Sequence, residues 1–285
     1  MVEHLSLAGQ AEIPTVIMLG QRPGPSTGMP TYTDQADLFF AMYAGHGEFA
    51  RVVIAPGDAE EAFYSAGEAM NLAWKFQMPV ILLGDKELCE STFSTVLEES
   101  KVGIEEAVLW DGEEEYERYK RTERGVSPLA FPGDARATVK SNSYEHDARG
   151  ITTEESAVVI EAREQRLRKC KAVEAEVRKK ESVRTYGNEE SETVFVTWGS
   201  TKGPVVEVAE RLGLKVVQPL YVMPLPVWEL EKHLGRTGGP GGPPLHGLGP
   251  DLGRAGEPGA DVRMARTMAP EGGSPLHEGG PGSGT

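Results

Sequence analysis

Residues 14–35 read Pro14-Thr-Val-Ile-Met-Leu19-Gly-Gln-Arg22-Pro-Gly-Pro-Ser-Thr-Gly28-Met-Pro-Thr-Tyr-Thr-Asp-Gln35. The passage changes character at Gly20: an unbroken apolar run gives way to a loop rich in Pro and Gly. Such a run, without polar alternation, is the pattern of a strand buried on both faces of a parallel sheet. Arg22 then emerges at the strand's carboxyl end, which is where open α/β sheets place their ligands. Its guanidinium is a permanent cation with a forked donor matched to a carboxylate. The Pro23-Gly-Pro25 that follows restricts the backbone so that Ser26 and Thr27 present hydroxyls beside it. The segment is predicted to grip a small organic anion.

Working outward, residues 1–95 alternate apolar runs with helical patterns, as a doubly wound fold requires. Val52-Val-Ile-Ala55 reads as a strand, and Asp58 and Glu61 stand at capping-box spacing before a helix. That helix carries Ala62, Phe63, Ala66, Ala69, Met70, Ala73 and Phe76 at three- and four-residue steps, and ends at Pro79. Val80–Leu83 is the next strand. Residues 96–150 read as a connector, with an acidic run Glu113–Glu117 and a turn at Phe131-Pro-Gly133. Ile151 to Val183, opened by Thr152 and Glu155, reads as one long charged helix; Leu167, Cys170, Val173 and Val177 form its apolar side and Arg163–Lys171 its wet side. A second small α/β unit spans 186–234. Its strand Thr193–Trp198 turns through Gly199-Ser-Thr-Lys-Gly203 into a helix from Pro204 to Leu212, then come a strand at Lys215–Gln218, a lead-in at Tyr221–Pro226 and a short helix at Val227–Leu234. The Gly199 turn joins a strand to a helix as phosphate loops do, but lacks the Gly-x-x-x-x-Gly-Lys-Ser/Thr spacing. Residues 235–285 are dominated by Gly and Pro without a hydrophobic period, so they cannot offset the entropy of ordering and are predicted to be disordered.

The 285 residues carry a formal charge of −15 at a pI near 4.9, which disfavours nucleic acid as a partner. No window approaches the ~20 apolar residues of a membrane span, and the amino terminus lacks a basic leader, so a cytoplasmic location is expected. Two cysteines, Cys89 and Cys170, cannot supply the thiolates of an iron–sulfur cluster. Cys89 is expected to be a small buried hydrophobe.

The ordered series Arg22-Pro-Gly-Pro-Ser-Thr-Gly28, Pro30-Thr31, Gln35-Ala-Asp37-Leu38 and His46-Gly-Glu48 resembles the α subunit of the 2-oxoacid:ferredoxin oxidoreductases. The likeness continues through Ala55-Pro56, Ala69-Met-Asn71-Leu-Ala73, Pro79–Asp85, Glu145-His-Asp147 and Trp198-Gly-Ser-Thr-Lys-Gly203, roughly the first four fifths of the chain. The resemblance implies a partial thiamine diphosphate pyrimidine-type domain at 1–95, the connector and long helix at 96–185, an incomplete domain like the carboxyl-terminal one of transketolase at 186–234, and the tail at 235–285. It also implies oxidative decarboxylation of a 2-oxo acid on thiamine diphosphate, coenzyme A as acyl acceptor, and electrons passed singly to an iron–sulfur cluster in a partner and on to ferredoxin. Arg22 and Thr27 are the residues implied to bind the substrate. Ser26, Gln35, Asp37, His46 and Glu48 match the family as possible supporting residues, although Asp37 also reads as a helix cap and His46-Gly-Glu48 as a turn. The β subunit is implied to hold Mg and the diphosphate, because no Gly-Asp-Gly with a downstream Asn occurs here. The activating carboxylate and a Tyr-Pro-x-Thr-Pro segment lie upstream in the family, and a further strand and helix lie downstream. The chain is therefore expected to be truncated at its front, aberrant at its tail through a shifted reading frame, and inactive alone. Two other readings stay open: another thiamine-dependent enzyme of the transketolase-like class, or a non-catalytic fragment of a disrupted gene. The residues do not select among 2-oxo acids.

Overall fold

A computed structural model describes residues 1–234 together with the backbone strand Asp261–Met264. Two four-stranded sheets organise it. The first has the order β1-β3-β2-β7, with β1 (Thr15–Gln21), β3 (Pro79–Asp85) and β2 (Val52–Ile54) parallel and β7 (Tyr221–Met223) antiparallel to β2. Every residue of β2 and β3 is buried, and the period of two sends alternate side chains to opposite cores. Val52, Ile54, Val80 and Leu82 face α3 (Ala59–Phe76), where Ala69, Leu72, Ala73 and Phe76 pack against them. Val53, Ala55, Ile81 and Leu83 face Leu5 of α1 (Val2–Gln10) and Ala41 of α2 (Leu38–Tyr43). Covering both faces is what allows the strands to be apolar throughout.

Asp58 caps α3 as its spacing predicts, accepting from the Glu61 amide at 2.9 Å. The helix ends before Pro79, however: Gln77 takes the left-handed conformation at φ 51°, and Pro79 opens β3. A short helix α4 (Lys86–Glu90) follows β3, and its Cys89 is exposed rather than buried.

The long helix is shorter than its charge pattern predicts. It is α5, Ser156–Val177; Glu155 occupies the cap position without a side-chain bond, and Thr152 instead bridges His146. Its buried face is Ala162, Gln165, Lys169, Val173, Glu176 and Val177, whereas Leu167 is 54% exposed and Cys170 lies at the surface. Charge spacing hid this, because three members of the basic run turn inward: Arg166 pairs with Glu145 at 2.5 Å, Arg168 donates to the Thr122 carbonyl, and Lys169 pairs with Glu12 at 2.9 Å. Burial pulls the Lys169 ammonium below its usual value against the pull of Glu12. Part of the connector, around Tyr116–Leu129, packs onto the rest of the chain. Arg118 donates to the carbonyls of Ala11 and Glu12, and the buried Tyr119 lies against the His146 ring, 3.7 Å between centroids.

Past the expected end of the long helix at Val183, the chain forms β4 (Val183–Gly187), antiparallel to β6 (Lys215–Pro219) in the second sheet, ordered β4-β6-β5-β8. β5 (Thr193–Val196) and β6 are parallel, joined by a 3-10 turn Gly199–Thr201 and α6 (Lys202–Leu212), which begins two residues before Pro204 and stops at Gly213, φ 66°. Val194 and Val217 pack with Leu230 of α7 (Val227–Leu234). Tyr221–Met223, read as a lead-in, crosses back to complete the first sheet. Within the tail, expected to be disordered, Asp261–Met264 forms β8, parallel to β5. The remainder of that expectation, residues 235–260 and 265–285, lies outside the described residues.

Candidate functional site at the carboxyl ends of β1 and β3

Gln21 ends β1 opposite Asp85 at the end of β3. Its buried amide donates to the Gly84 carbonyl at 3.3 Å and accepts from the Asp37 amide at 3.1 Å, so the loop that leaves the sheet at Arg22 is drawn back at Asp37. Within the loop Met29 donates to the Pro23 carbonyl at 3.0 Å. Gly28 makes this bend possible. It sits at φ +52°, and a Cβ there would lie 1.8 Å from the Pro23 oxygen. Ser26 also adopts a left-handed conformation, φ 57°, and the Gly24–Pro25 bond is cis.

Arg22 is exposed, and its Nε donates to the Thr27 carbonyl at 2.9 Å. That bond fixes the plane of the guanidinium while its two terminal nitrogens meet no protein acceptor among the described residues. Ser26 and Thr27 are exposed on the same bend. A free planar fork beside hydroxyls, beyond the ends of parallel strands, suits a carboxylate.

The other sequence candidates divide. Gln35 is 4% exposed, and its Nε2 donates to the Trp198 carbonyl at 2.7 Å and to Thr201 Oγ1 at 3.4 Å. Asp37 stands at the amino-terminal cap of α2, with no side-chain cap bond. His46 and Glu48 sit at the far end of α2. The His46 amide donates to Ser6 Oγ at 2.7 Å and its ring lies 3.0 Å from Glu3, both side chains well exposed. No hydrogen bond or ion pair joins His46 or Glu48 to Arg22, Ser26 or Thr27 among the described residues.

Sequence reading passed over what meets Gln35. The Trp198–Lys202 turn touches the end of β3 and the start of α3. Ser200 Oγ donates to Asp85 Oδ2 at 2.6 Å, while Asp85 Oδ1 caps α4 through the Leu88 amide. Lys202 Nζ binds Asp58, and Glu61 at 2.8 Å. Glu61, its side chain 2% exposed, also accepts from the Gly57 amide at 2.6 Å, Gln218 at 2.8 Å and Arg184 at 3.1 Å. Burial opposes the Lys202 charge, but its bonds to the two carboxylates outweigh burial and hold it above the ordinary lysine value. The motif Trp198-Gly-Ser-Thr-Lys-Gly203 was visible in the sequence; that its side chains point at the first unit was not. Cys89, beside this region, has its thiol pushed up by partial burial and by Asp85 and Glu90, which disfavours a nucleophilic thiolate.

A separate cleft of about 240 Å³, lined in part by Ile54, Tyr64, Glu68, Lys180 and Arg184, includes none of the loop residues. Within it Lys180 pairs with Glu68 at 2.8 Å. Among the described residues no three His, Cys, Asp or Glu side chains converge to hold a metal ion, and no helix is long and apolar enough to cross a membrane.

Residues 1–166 match the family described as pyruvate flavodoxin/ferredoxin oxidoreductase, thiamine diphosphate-binding. A 2-oxoacid:ferredoxin oxidoreductase subunit alpha of Saccharolobus solfataricus is 40% identical over 229 residues, 78% of this chain and 36% of that protein. A 2-oxoacid:ferredoxin oxidoreductase 2, subunit alpha, of Aeropyrum pernix is 42% identical over 216 residues, 74% of this chain and 33% of its own length. Among solved structures, a 2-oxoglutarate:ferredoxin oxidoreductase from Magnetococcus marinus, with 2-oxoglutarate, coenzyme A and succinyl-CoA bound, superposes at a TM-score of 0.73 and 31% identity, over 82% of this chain and 41% of that one. The chain thus spans about a third of the length of the curated relatives it matches. With its parallel strands, its Arg22 loop and a match across residues 1–166, the chain belongs to the pyruvate flavodoxin/ferredoxin oxidoreductase family, in the thiamine diphosphate-binding region of that family.

Proposed function

We propose that this chain serves as the α-subunit portion of a cytoplasmic 2-oxoacid:ferredoxin oxidoreductase, working with a β subunit and passing electrons to ferredoxin. The observation that carries the reading is the unpaired fork of Arg22, held in plane by Thr27 at the carboxyl end of β1. Arg22 binds the carboxylate of the 2-oxo acid, and Thr27, with Ser26 beside it, donates a hydroxyl to the same anion. Gln21 and Asp37 fix the two ends of the loop, and Gln35 sets its depth. His46, bonded to Ser6 and Glu3 of α1, ties the corner between α1 and α2.

The loop fits the substrate end of a thiamine site. In keeping with the family resemblance, the Mg-diphosphate end is assigned to the β subunit, as are the cluster and its electron transfer. When bound, thiamine diphosphate supplies the nucleophilic carbon for decarboxylation, and coenzyme A accepts the acyl group. Exposed Phe39, Phe40 and Tyr43 of α2, with Met29 and Tyr32 in the loop, support a partner surface next to the substrate site. Reconstitution with a β subunit tests the reading. Reduction of ferredoxin or a viologen dye that requires a 2-oxo acid, coenzyme A and thiamine diphosphate is expected; dye reduction independent of coenzyme A, or no association with any β subunit, would overturn it.

A further inference from the structure

The loop from Arg22 to Ala36 is held from outside by remarkably few bonds for a segment asked to aim a guanidinium. Among the described residues, only Gln35 and Thr33 bond beyond it by side chain, and the Thr33 contact, from the Glu87 amide, is long at 3.4 Å. Gln35 is therefore the principal tie, and it is an unusual one. Both its donors are used, yet its buried Oε1 has no partner. Leaving such an acceptor unpaired destabilises a fold, and an apolar residue of the same shape would avoid the loss.

What Gln35 grips is firmly mounted. Gly199 is at φ +65°, and a Cβ there would come 2.8 Å from Gln35 Nε2; a Cβ on Gly57 would come 2.7 Å from the Gly199 carbonyl. The turn thus lies against the backbone after β2, while Ser200 binds Asp85 at the end of β3 and Lys202 binds Asp58 and Glu61 at the start of α3. These anchors stand at the end of β3 and at the junction of β2 with α3.

We propose that the Trp198–Lys202 turn is a clamp that sets the Arg22 loop, and that Gln35 is its positioning residue, retained for placement of the loop rather than for stability. The kinetic consequence rests on the functional reading given above; the mechanical one does not. The isosteric Gln35→Met removes the bond to Trp198 and the unpaired oxygen together. In the full chain, amide hydrogen exchange across residues 22–34 is expected to rise by about tenfold or more while β2, β3 and α3 stay protected, and the thermal midpoint is expected not to fall. In the reconstituted complex the Michaelis constant for the 2-oxo acid should rise about fivefold or more, with kcat changed less. Unchanged exchange in the loop, or a lowered midpoint with exchange raised throughout the first sheet, overturns the clamp. Exchange that rises only in the loop, in a chain whose complex shows no 2-oxo acid-dependent activity, would keep the clamp and reject the functional reading instead.

Discussion

Replacing Glu61 by Ala should weaken the joint between the two α/β units more than any other single polar change described here. Its carboxylate, 2% exposed, is shared by the Gly57 amide at 2.6 Å, Gln218 at 2.8 Å, Lys202 at 2.8 Å and Arg184 at 3.1 Å. Truncation leaves the buried amide and the Gln218 donors unpaired. It also strips the Lys202 ammonium of one of two counterions. Removing one member of a buried ion pair costs about 3–5 kcal/mol. Arg184 is over a third exposed and regains water, which places the expected loss toward the lower end. With a urea dependence of about 2 kcal/mol per molar, the midpoint should fall by ~1.5–2 M. Glu61→Gln keeps the shape and one acceptor, and should cost about half as much. Urea unfolding followed by tryptophan fluorescence reads this directly, since Trp198 is buried at the joint. A midpoint shift under about 0.3 M at unchanged slope would refute the joint as a stabilising element.

Gly28→Ala places a Cβ within 1.8 Å of the Pro23 oxygen at a left-handed position. It should raise the Michaelis constant for the oxo acid about tenfold, with a stability loss of only ~1–2 kcal/mol because the bend is exposed; steady-state kinetics beside a melting curve check both. Burial holds His146 below its ordinary 6.5, so the unfolded chain binds its proton first as pH falls. Stability from this group is complete above 6.5 and declines as pH drops toward the lower folded value; in His146→Phe that part of the pH–stability curve should flatten. The bond from Lys75, at 2.5 Å, is the chief cause holding Glu105 below 4.5. Its contribution is present above that value and lost as pH falls through the folded one, and acid titration of Lys75→Met should show a shallower loss.

Much of the first sheet was legible because burial on both faces leaves a plain signature at β2 and β3, unbroken apolar runs with the Asp58 cap between them; β1 carries the same kind of run and does form a strand, but at the sheet edge and half-buried, with Met18 51% exposed, against the expectation of burial on both faces. The Arg22 bend was legible for a related reason, since Pro and Gly dictate backbone whatever surrounds them. Elements whose side chains serve distant partners were not. Lys169 and Gln165 look like solvent-facing residues until Glu12 and Ser127 are brought across from other segments. β7 is only three residues long and owes its strand form to β2, more than 160 positions earlier, a pairing no local pattern encodes. At the site, Gln35 was recognisable as a position of interest, while its role depended on a turn that the sequence places far away.

The account stands most directly on Arg22. A charge-assisted contact to a carboxylate contributes about 1.5–3 kcal/mol, so Arg22→Ala in the reconstituted complex should raise the Michaelis constant for the 2-oxo acid by roughly 10- to 150-fold. Arg22→Lys, which keeps the charge but loses the fork held by Thr27, should recover only part of that. A Michaelis constant unchanged in both variants would contradict the assignment of this loop to the substrate.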